Sequence, residues 1–157
     1  MKRLVVYYSL GGNTKRIAMK IARALRADII EIQTVKDYPD DYDVLLGLGK
    51  KEVESGYLPQ IRPMEIDLSK YGAVLVGTPV WWSSLAPALK KFASNYKWKD
   101  VNVFPFVTHD GSIGRAVGDF KKTLRGANIA PLFSAKFEEK TQITPDSEIL
   151  DWLLEIE

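Results

Sequence analysis

The sequence predicts an α/β three-layer sandwich, a five-stranded parallel sheet covered by helices on both faces. Short β-branched and aromatic runs alternate with segments whose apolar residues recur at helical spacing. The strand runs are apolar throughout rather than alternating, as strands buried on both faces are. A length of 157 residues fits one domain, 1–157, and no repeat, low-complexity tract or linker divides it.

Leu4–Tyr8 is the first strand. Ile17, Ala18, Ile21, Ala22 and Leu25 then form one helical face, with Lys15, Arg16, Lys20, Arg23 and Arg26 largely outside it. Asp28–Val35 reads as the second strand. The stretch 36–70 is less regular: roughly Asp40 to Ser55 suits a helix weakened by Gly47 and Gly49, and Pro59 and Pro63 demand extended chain after it. Ala73–Gly77 reads as the third strand. In the next helix Ser83 or Ser84 is the cap, Pro87 fits the first turn, and Leu85, Ala88, Leu89, Phe92, Ala93 and Tyr96 make the stripe. Val101–Val107 is the fourth strand, followed by a helix on Ala116, Val117, Phe120 and Leu124 that Gly126 stops. Ile129–Phe137 is the fifth strand, and Thr144-Pro145 opens a final helix with Ile149, Trp152, Leu153 and Ile156 inward. Trp98 and Trp152 read as structural.

Composition excludes several classes. Hydrophobic residues at 46% and charged residues at 27% fit neither disordered nor collagen-like chains. No apolar run reaches the ~18–20 residues of a membrane span. The opening Met1-Lys2-Arg3 before Leu4–Tyr8 imitates a secretory leader but is too short for one, so a cytoplasmic location is expected. With no cysteine and a single histidine, thiolate zinc sites, disulfides and cysteine nucleophiles are excluded, and no metal site is expected.

The net charge of +2 is segregated along the chain. Residues 1–26 carry seven bases and no acid, 28–70 ten acids and five bases, 71–136 nine bases and three acids, and 137–157 seven acids and one base. No basic run is interleaved with aromatics, so solvated helix faces explain the pattern and no nucleic-acid partner is expected.

In parallel α/β sheets ligands bind outside the carboxyl ends of the strands, where the strand order reverses. Three loops there stand out. The first is Ser9-Leu10-Gly11-Gly12-Asn13-Thr14, whose glycines permit close backbone approach ahead of a helix start with free N–H groups. Lys15 and Arg16 occupy a first turn that the helix dipole would fill with acids, a conflict a bound anion removes. The spacing lacks the Gly-Lys-Ser/Thr of a nucleoside-triphosphate loop and the third glycine of a dinucleotide fingerprint. A phosphate monoester suits it; a capped connector without ligand is the other reading.

The second loop is Gly77-Thr78-Pro79-Val80-Trp81-Trp82-Ser83-Ser84. Its two tryptophans either fold over the core, fill an oligomer interface, or wall a slot for an aromatic ring system. The third is Thr108-His109-Asp110-Gly111-Ser112-Ile113-Gly114, which offers backbone donors and acceptors for the edge of such a ring. His109 is either a general acid or base or a solvated hydrogen-bonding residue, and Asp110 can be a simple turn former.

With these loops the chain resembles the flavodoxin superfamily over nearly its whole length. Ser9 to Thr14 is similar to the family's phosphate loop, Ser/Thr-x-Thr-Gly-x-Thr; Gly77 to Trp82 to the loop along one side of the flavin; and Thr108 to Gly114 to the loop that closes the other side. The resemblance implies a flavodoxin-like sheet of order 2-1-3-4-5 and one noncovalent FMN. Ser9, Asn13 and Thr14, with the amides of Leu10, Gly11, Gly12, Asn13 and Thr14, are then expected to hold the phosphate. Thr78, Pro79, Val80, Trp81 and Trp82, with His109, Asp110, Gly111 and Gly114, are expected to hold the isoalloxazine. Gly11 stands where the family usually has a hydroxyl, a loss that Lys15 or Arg16 can offset, and Asp110 stands where a small residue is common.

Two flavin readings compete; the small size and the absence of an evident second nucleotide site or catalytic dyad favour electron transfer between partner proteins, by a monomer or homodimer. The alternative is an NAD(P)H-dependent FMN oxidoreductase of quinones or other small acceptors, which the lack of strong surface acidity favours. A flavin-free phosphate-ligand binding module is a third reading. A receiver domain is excluded, because Ser9-Leu10 and Gly77-Thr78 stand where its acidic residues belong. Segment 36–70 covers the flavin, makes a dimer contact or packs on the sheet; the sequence leaves all three open.

Overall fold

The computed structural model describes residues 1–156. In chain order its elements are β1 (Arg3–Tyr8), α1 (Asn13–Leu25), β2 (Asp28–Ile32), α2 (Tyr42–Ser55), β3 (Ala73–Trp81), β4 (Ser84–Leu85), α3 (Pro87–Ser94), β5 (Asn102–His109), α4 (Ala116–Thr123), β6 (Asn128–Ile129), β7 (Phe133–Glu138), β8 (Thr141–Gln142) and α5 (Asp146–Leu153). The sheet runs β2-β1-β3-β5-β7-β8, with β4 on β3 and β6 on β5. Its five long strands are parallel and lie in the expected 2-1-3-4-5 order. The added strands are two-residue pieces, of which β4 and β8 are antiparallel.

Two cores form because successive strand residues face opposite ways. Val5, Tyr7, Leu75 and Phe106 pack under α1 and α5 with Ile17, Ile21, Ile149 and Trp152. Leu4, Val6, Val74, Val76 and Val107 pack under α3 and α4 with Leu89, Phe92 and Phe120. Trp98 and Trp152 are buried in these layers, as expected, and Trp98 Nε1 donates to the Ala93 carbonyl at 2.9 Å.

Four sequence expectations change. The fifth strand is split, because Pro131 has no N–H to donate and the ladder resumes only at Phe133. The second strand stops at Ile32, and the chain beyond it pairs instead with the extended segment that follows α2, through the Thr34–Ile61 bridge. The third strand continues past Gly77 to Trp81. Neither Ser83 nor Ser84 caps α3: Ala86 does, with Pro87 in the first turn, because both serines belong to the β3–β4 hairpin.

Candidate functional site

The carboxyl ends of β1, β3 and β5 converge at one edge of the sheet. From β1 the chain enters loop 9–14. Gly12 precedes α1 at φ 100°, a left-handed entry, and no side chain caps the helix. Ser9 Oγ accepts from the Lys15 amide at 3.1 Å and the Gly12 carbonyl from the Arg16 amide at 3.0 Å. The amides of Gly12, Asn13 and Thr14 are left for an external acceptor, as a helix start leaves them.

The two remaining polar side chains of the loop point elsewhere. Thr14 is buried and its hydroxyl pairs with that of Thr108 on β5 at 2.7 Å, tying α1 to the central sheet. Asn13 Nδ2 donates to the Glu139 carbonyl at 2.8 Å, across the turn between β7 and β8. From that same turn Lys140 Nζ donates to the Gly11 carbonyl. Lys140 was not among the residues singled out in the sequence; only its isolation as the one base of residues 137–157 marked it.

The second loop is a β-hairpin with a two-residue turn. Trp81 pairs with Ser84, and Trp82 and Ser83 between them have φ of 46° and 63°. Positive φ at both central residues matches the twist of the strands but costs non-glycine residues roughly 1 kcal/mol or more each. The contacts of the tryptophans offset that cost. Trp81 is half-buried and meets Tyr8 and Tyr38 edge-on, at centroid distances of 6.0 and 5.2 Å. Trp82 donates its indole N–H to the Leu46 carbonyl at 3.1 Å, and the Lys50 ammonium lies 5.5 Å from its ring. Gly49 of α2 faces this indole: a Cβ there would lie 3.5 Å from Trp82 Nε1, an ordinary van der Waals distance.

The third loop leans on the second. The Arg115 amide donates to the Ser83 carbonyl at 2.7 Å. Gly114, at φ 53°, passes so close that a Cβ would lie 2.5 Å from Ser83 Cα. Behind the hairpin, buried Ser84 donates to Asp119 of α4 at 2.6 Å and accepts from Lys90 of α3 at 2.9 Å. Burial holds the Lys90 ammonium below its ordinary pKa and Arg115 adds to this, while Asp119 opposes it.

Together these elements enclose a cavity of about 390 Å³, lined by Leu10, Leu46, Gly49, Trp82 and Asp110 among others. Ser112 and Tyr42 complete its polar lining with Ser83. Val80 and Trp81 also face it, whereas Thr78, Pro79, His109, Gly111 and Gly114 do not line it. Thr78 is buried and receives the Ala86 amide at 3.3 Å. His109 ends β5 with Nδ1 buried and unpartnered. Burial lowers its pKa and Lys136 adds to this, against the pull of Asp110. Beside the cavity, burial and then the charges of Glu52 and Glu31 hold the Tyr8 phenol far above its ordinary range. Burial and a 2.8 Å hydrogen bond to Glu52 do the same for Tyr38, so both stay protonated donors. A larger groove of about 1030 Å³ lies elsewhere, along residues 60–67 and the end of α3.

The flavodoxin family model matches residues 2–144. The chain belongs to the flavodoxin family. Among solved structures this family member is similar to a Bacteroides eggerthii protein assigned as a flavoprotein, at 27% identity over 99% of this chain and 97% of that one, with a TM-score of 0.83. It is also similar to the apo form of the Lactobacillus acidophilus flavoprotein, at 26% identity over 96% of each chain and a TM-score of 0.69. The same L. acidophilus flavoprotein in complex with FMN shares the fold, with a TM-score of 0.79 over 96% of this chain and 97% of that one at 24% identity. No curated protein matches by sequence. FMN is the cofactor of the family. The residues present fit it: unclaimed amides at 12–14 stand beside a cavity whose volume lies within the usual ~300–1,000 Å³ of small-molecule sites. No helix among the described residues is long and apolar enough to cross a membrane.

Proposed function

We propose that this flavodoxin family member binds FMN noncovalently and passes electrons between partner proteins that dock over the cavity rim. The observation that carries this reading is a juxtaposition: Leu10, in the same loop and two residues before the free amide of Gly12, also lines the 390 Å³ cavity. One mononucleotide can therefore reach both. The amides of Gly12, Asn13 and Thr14 hold its phosphate, with Ser9 fixing the loop by holding the Lys15 amide. Trp82 and Leu10 wall the ring, and Asp110 with Ser112 meets its polar edge. Bound FMN supplies the redox chemistry.

Two features of the chain favour a carrier over an enzyme. The cavity's polar side chains are Tyr42, Ser83, Asp110 and Ser112, which include no acid–base pair suited to proton transfer at neutral pH. Its rim is apolar and open: Tyr42 is 69% exposed, Trp82 45% and Leu46 38%. A clustered aromatic rim of this kind is what a transient protein partner covers. Stopped-flow mixing of the FMN-loaded protein with NADH or NADPH tests the reading. Slow bleaching of the flavin absorbance is expected; rapid bleaching would establish a reductase instead. The net charge of +2 is the observation that favours that second reading, since cationic side chains attract nicotinamide phosphates.

A further inference from the structure

We infer that Lys140 is a phosphate ligand of the FMN site, carried to the β1–α1 loop by the turn between β7 and β8; the inference rests on the FMN reading above. Glu138 pairs with Thr141, so Glu139 and Lys140 form a two-residue turn. Three contacts hold that turn against α1. At its tip Asn13 Nδ2 binds the Glu139 carbonyl at 2.8 Å. On β7 the Arg16 guanidinium lies 5.5 Å from the Phe137 ring centroid. On β8 Lys20 Nζ binds Gln142 Oε1 at 2.8 Å and then Asp146 at 2.9 Å. The turn cannot swing away without breaking these.

Their effect is to set the Lys140 ammonium on the Gly11 carbonyl, in space that a side chain at Gly11 would need: a Cβ there would lie 2.7 Å from Nζ. An ammonium carries three donors and Gly11 takes one, which leaves two for an anion at the neighbouring amides. Of the cations in α1's first turns, Lys15 is exposed and makes no side-chain hydrogen bond or ion pair among the described residues, and the other two are engaged elsewhere. Arg16 is spread over Phe137 and Lys20 is paired with Asp146. Lys140 is exposed, so an incoming anion can reach its ammonium. Asn13 thus serves the phosphate through its amide N–H, and its side chain serves the turn that delivers the lysine.

Calorimetric titration of the wild-type chain and Lys140→Met with FMN and with riboflavin tests this. Riboflavin shares the ring and lacks the phosphate. Loss of one charge-assisted hydrogen bond is expected to weaken FMN about ten- to a hundredfold and to flatten the salt dependence of its affinity. Riboflavin affinity should be unchanged, and Lys140→Arg should recover most of the FMN affinity. Equal weakening of both ligands would overturn the assignment, making Lys140 a structural residue. So would FMN binding by Lys140→Met as tight as wild type. A wild-type chain that binds neither ligand would overturn the FMN reading itself and this inference with it.

Discussion

Gly114→Ala should destabilise the protein by about 3–5 kcal/mol, whereas Gly111→Ala in the same loop should be nearly neutral. Both substitutions add one methyl group. At Gly114 the backbone sits at φ 53°, where an L-residue costs ~1–2 kcal/mol. The new Cβ would also lie 2.5 Å from Ser83 Cα and 2.6 Å from the Ser83 carbonyl oxygen. Both are backbone atoms, so the hairpin must move as a unit, at the ~1–3 kcal/mol typical of overpacking. That movement breaks the 2.7 Å hydrogen bond from Arg115 N to Ser83 O, worth ~0.5–1.5 kcal/mol. At Gly111 nothing lies within 4 Å of the added atom and φ is unexceptional, so an effect within ~0.5 kcal/mol is expected. Urea unfolding reads the difference. With a slope of ~2 kcal/mol/M the Gly114→Ala midpoint should fall by about 1.5–2.5 M. A Gly114 variant within ~1 kcal/mol of wild type would refute the idea that the second and third loops are locked together.

Other expectations follow from the same geometry. Thr14→Val or Thr108→Val alone leaves the other hydroxyl buried without a partner and should cost ~1–3 kcal/mol, while the double variant recovers much of this. A double-mutant cycle in which the two effects simply add would contradict that pairing. Gly49→Leu should fill the cavity beside Trp82 and weaken FMN more than about tenfold in fluorescence titration, with the fold intact because glycine is itself a poor helix residue by ~1 kcal/mol. Unchanged affinity would place the ring elsewhere. The lowered pKa of His109 also has a defined sign. The unfolded chain takes up a proton near pH 6.5 and the folded chain only at lower pH, so the unfolded state binds more protons in between. Stability should therefore fall as pH drops from about 7 through that window, and His109→Asn should remove this part of the slope. A variant whose pH profile overlays wild type would show that His109 is not its source.

The legible parts of the fold were those written in local pattern. Leu4–Tyr8, Ala73–Gly77 and Val101–Val107 are largely apolar runs of strand length; the first two lie within observed strands and the third does so from Asn102 onward. The stripe on Ile17, Ala18 and Ile21 buries as its spacing implies. Glycine-rich loops after β1 and β5 were visible because small residues mark close backbone approach. The extension of β3 to Trp81 was hidden by Pro79, which reads as a strand breaker. It is tolerated because the β1 ladder ends at Gly77, so Pro79 owes no hydrogen bond on that side. The Trp82-Ser83 turn carries none of the Asn-Gly chemistry that advertises a tight hairpin, and its strained φ values are held by tertiary contacts with α2 and Gly114. Gly49 looked like a weakness in a helix and proves to line the cavity beside an indole. Contacts such as Asn13–Glu139 join residues 126 positions apart, and no local signal encodes them. Segment 36–70 left three roles open; its helix α2 lines the cavity through Tyr42, Leu45, Leu46 and Gly49, while its extended part pairs beside β2.

The central claim is that the cofactor's phosphate end sits on the β1–α1 turn and its ring lies against Trp82 under α2. A crystal structure of this chain grown with FMN addresses it directly. The account predicts phosphate oxygens within hydrogen-bond distance of the amides of Gly12, Asn13 and Thr14, and the tricyclic ring between Leu10 and Trp82. Density for FMN in the 1030 Å³ groove beside Arg62 and Tyr96, with the β1–α1 turn holding only solvent, would contradict it.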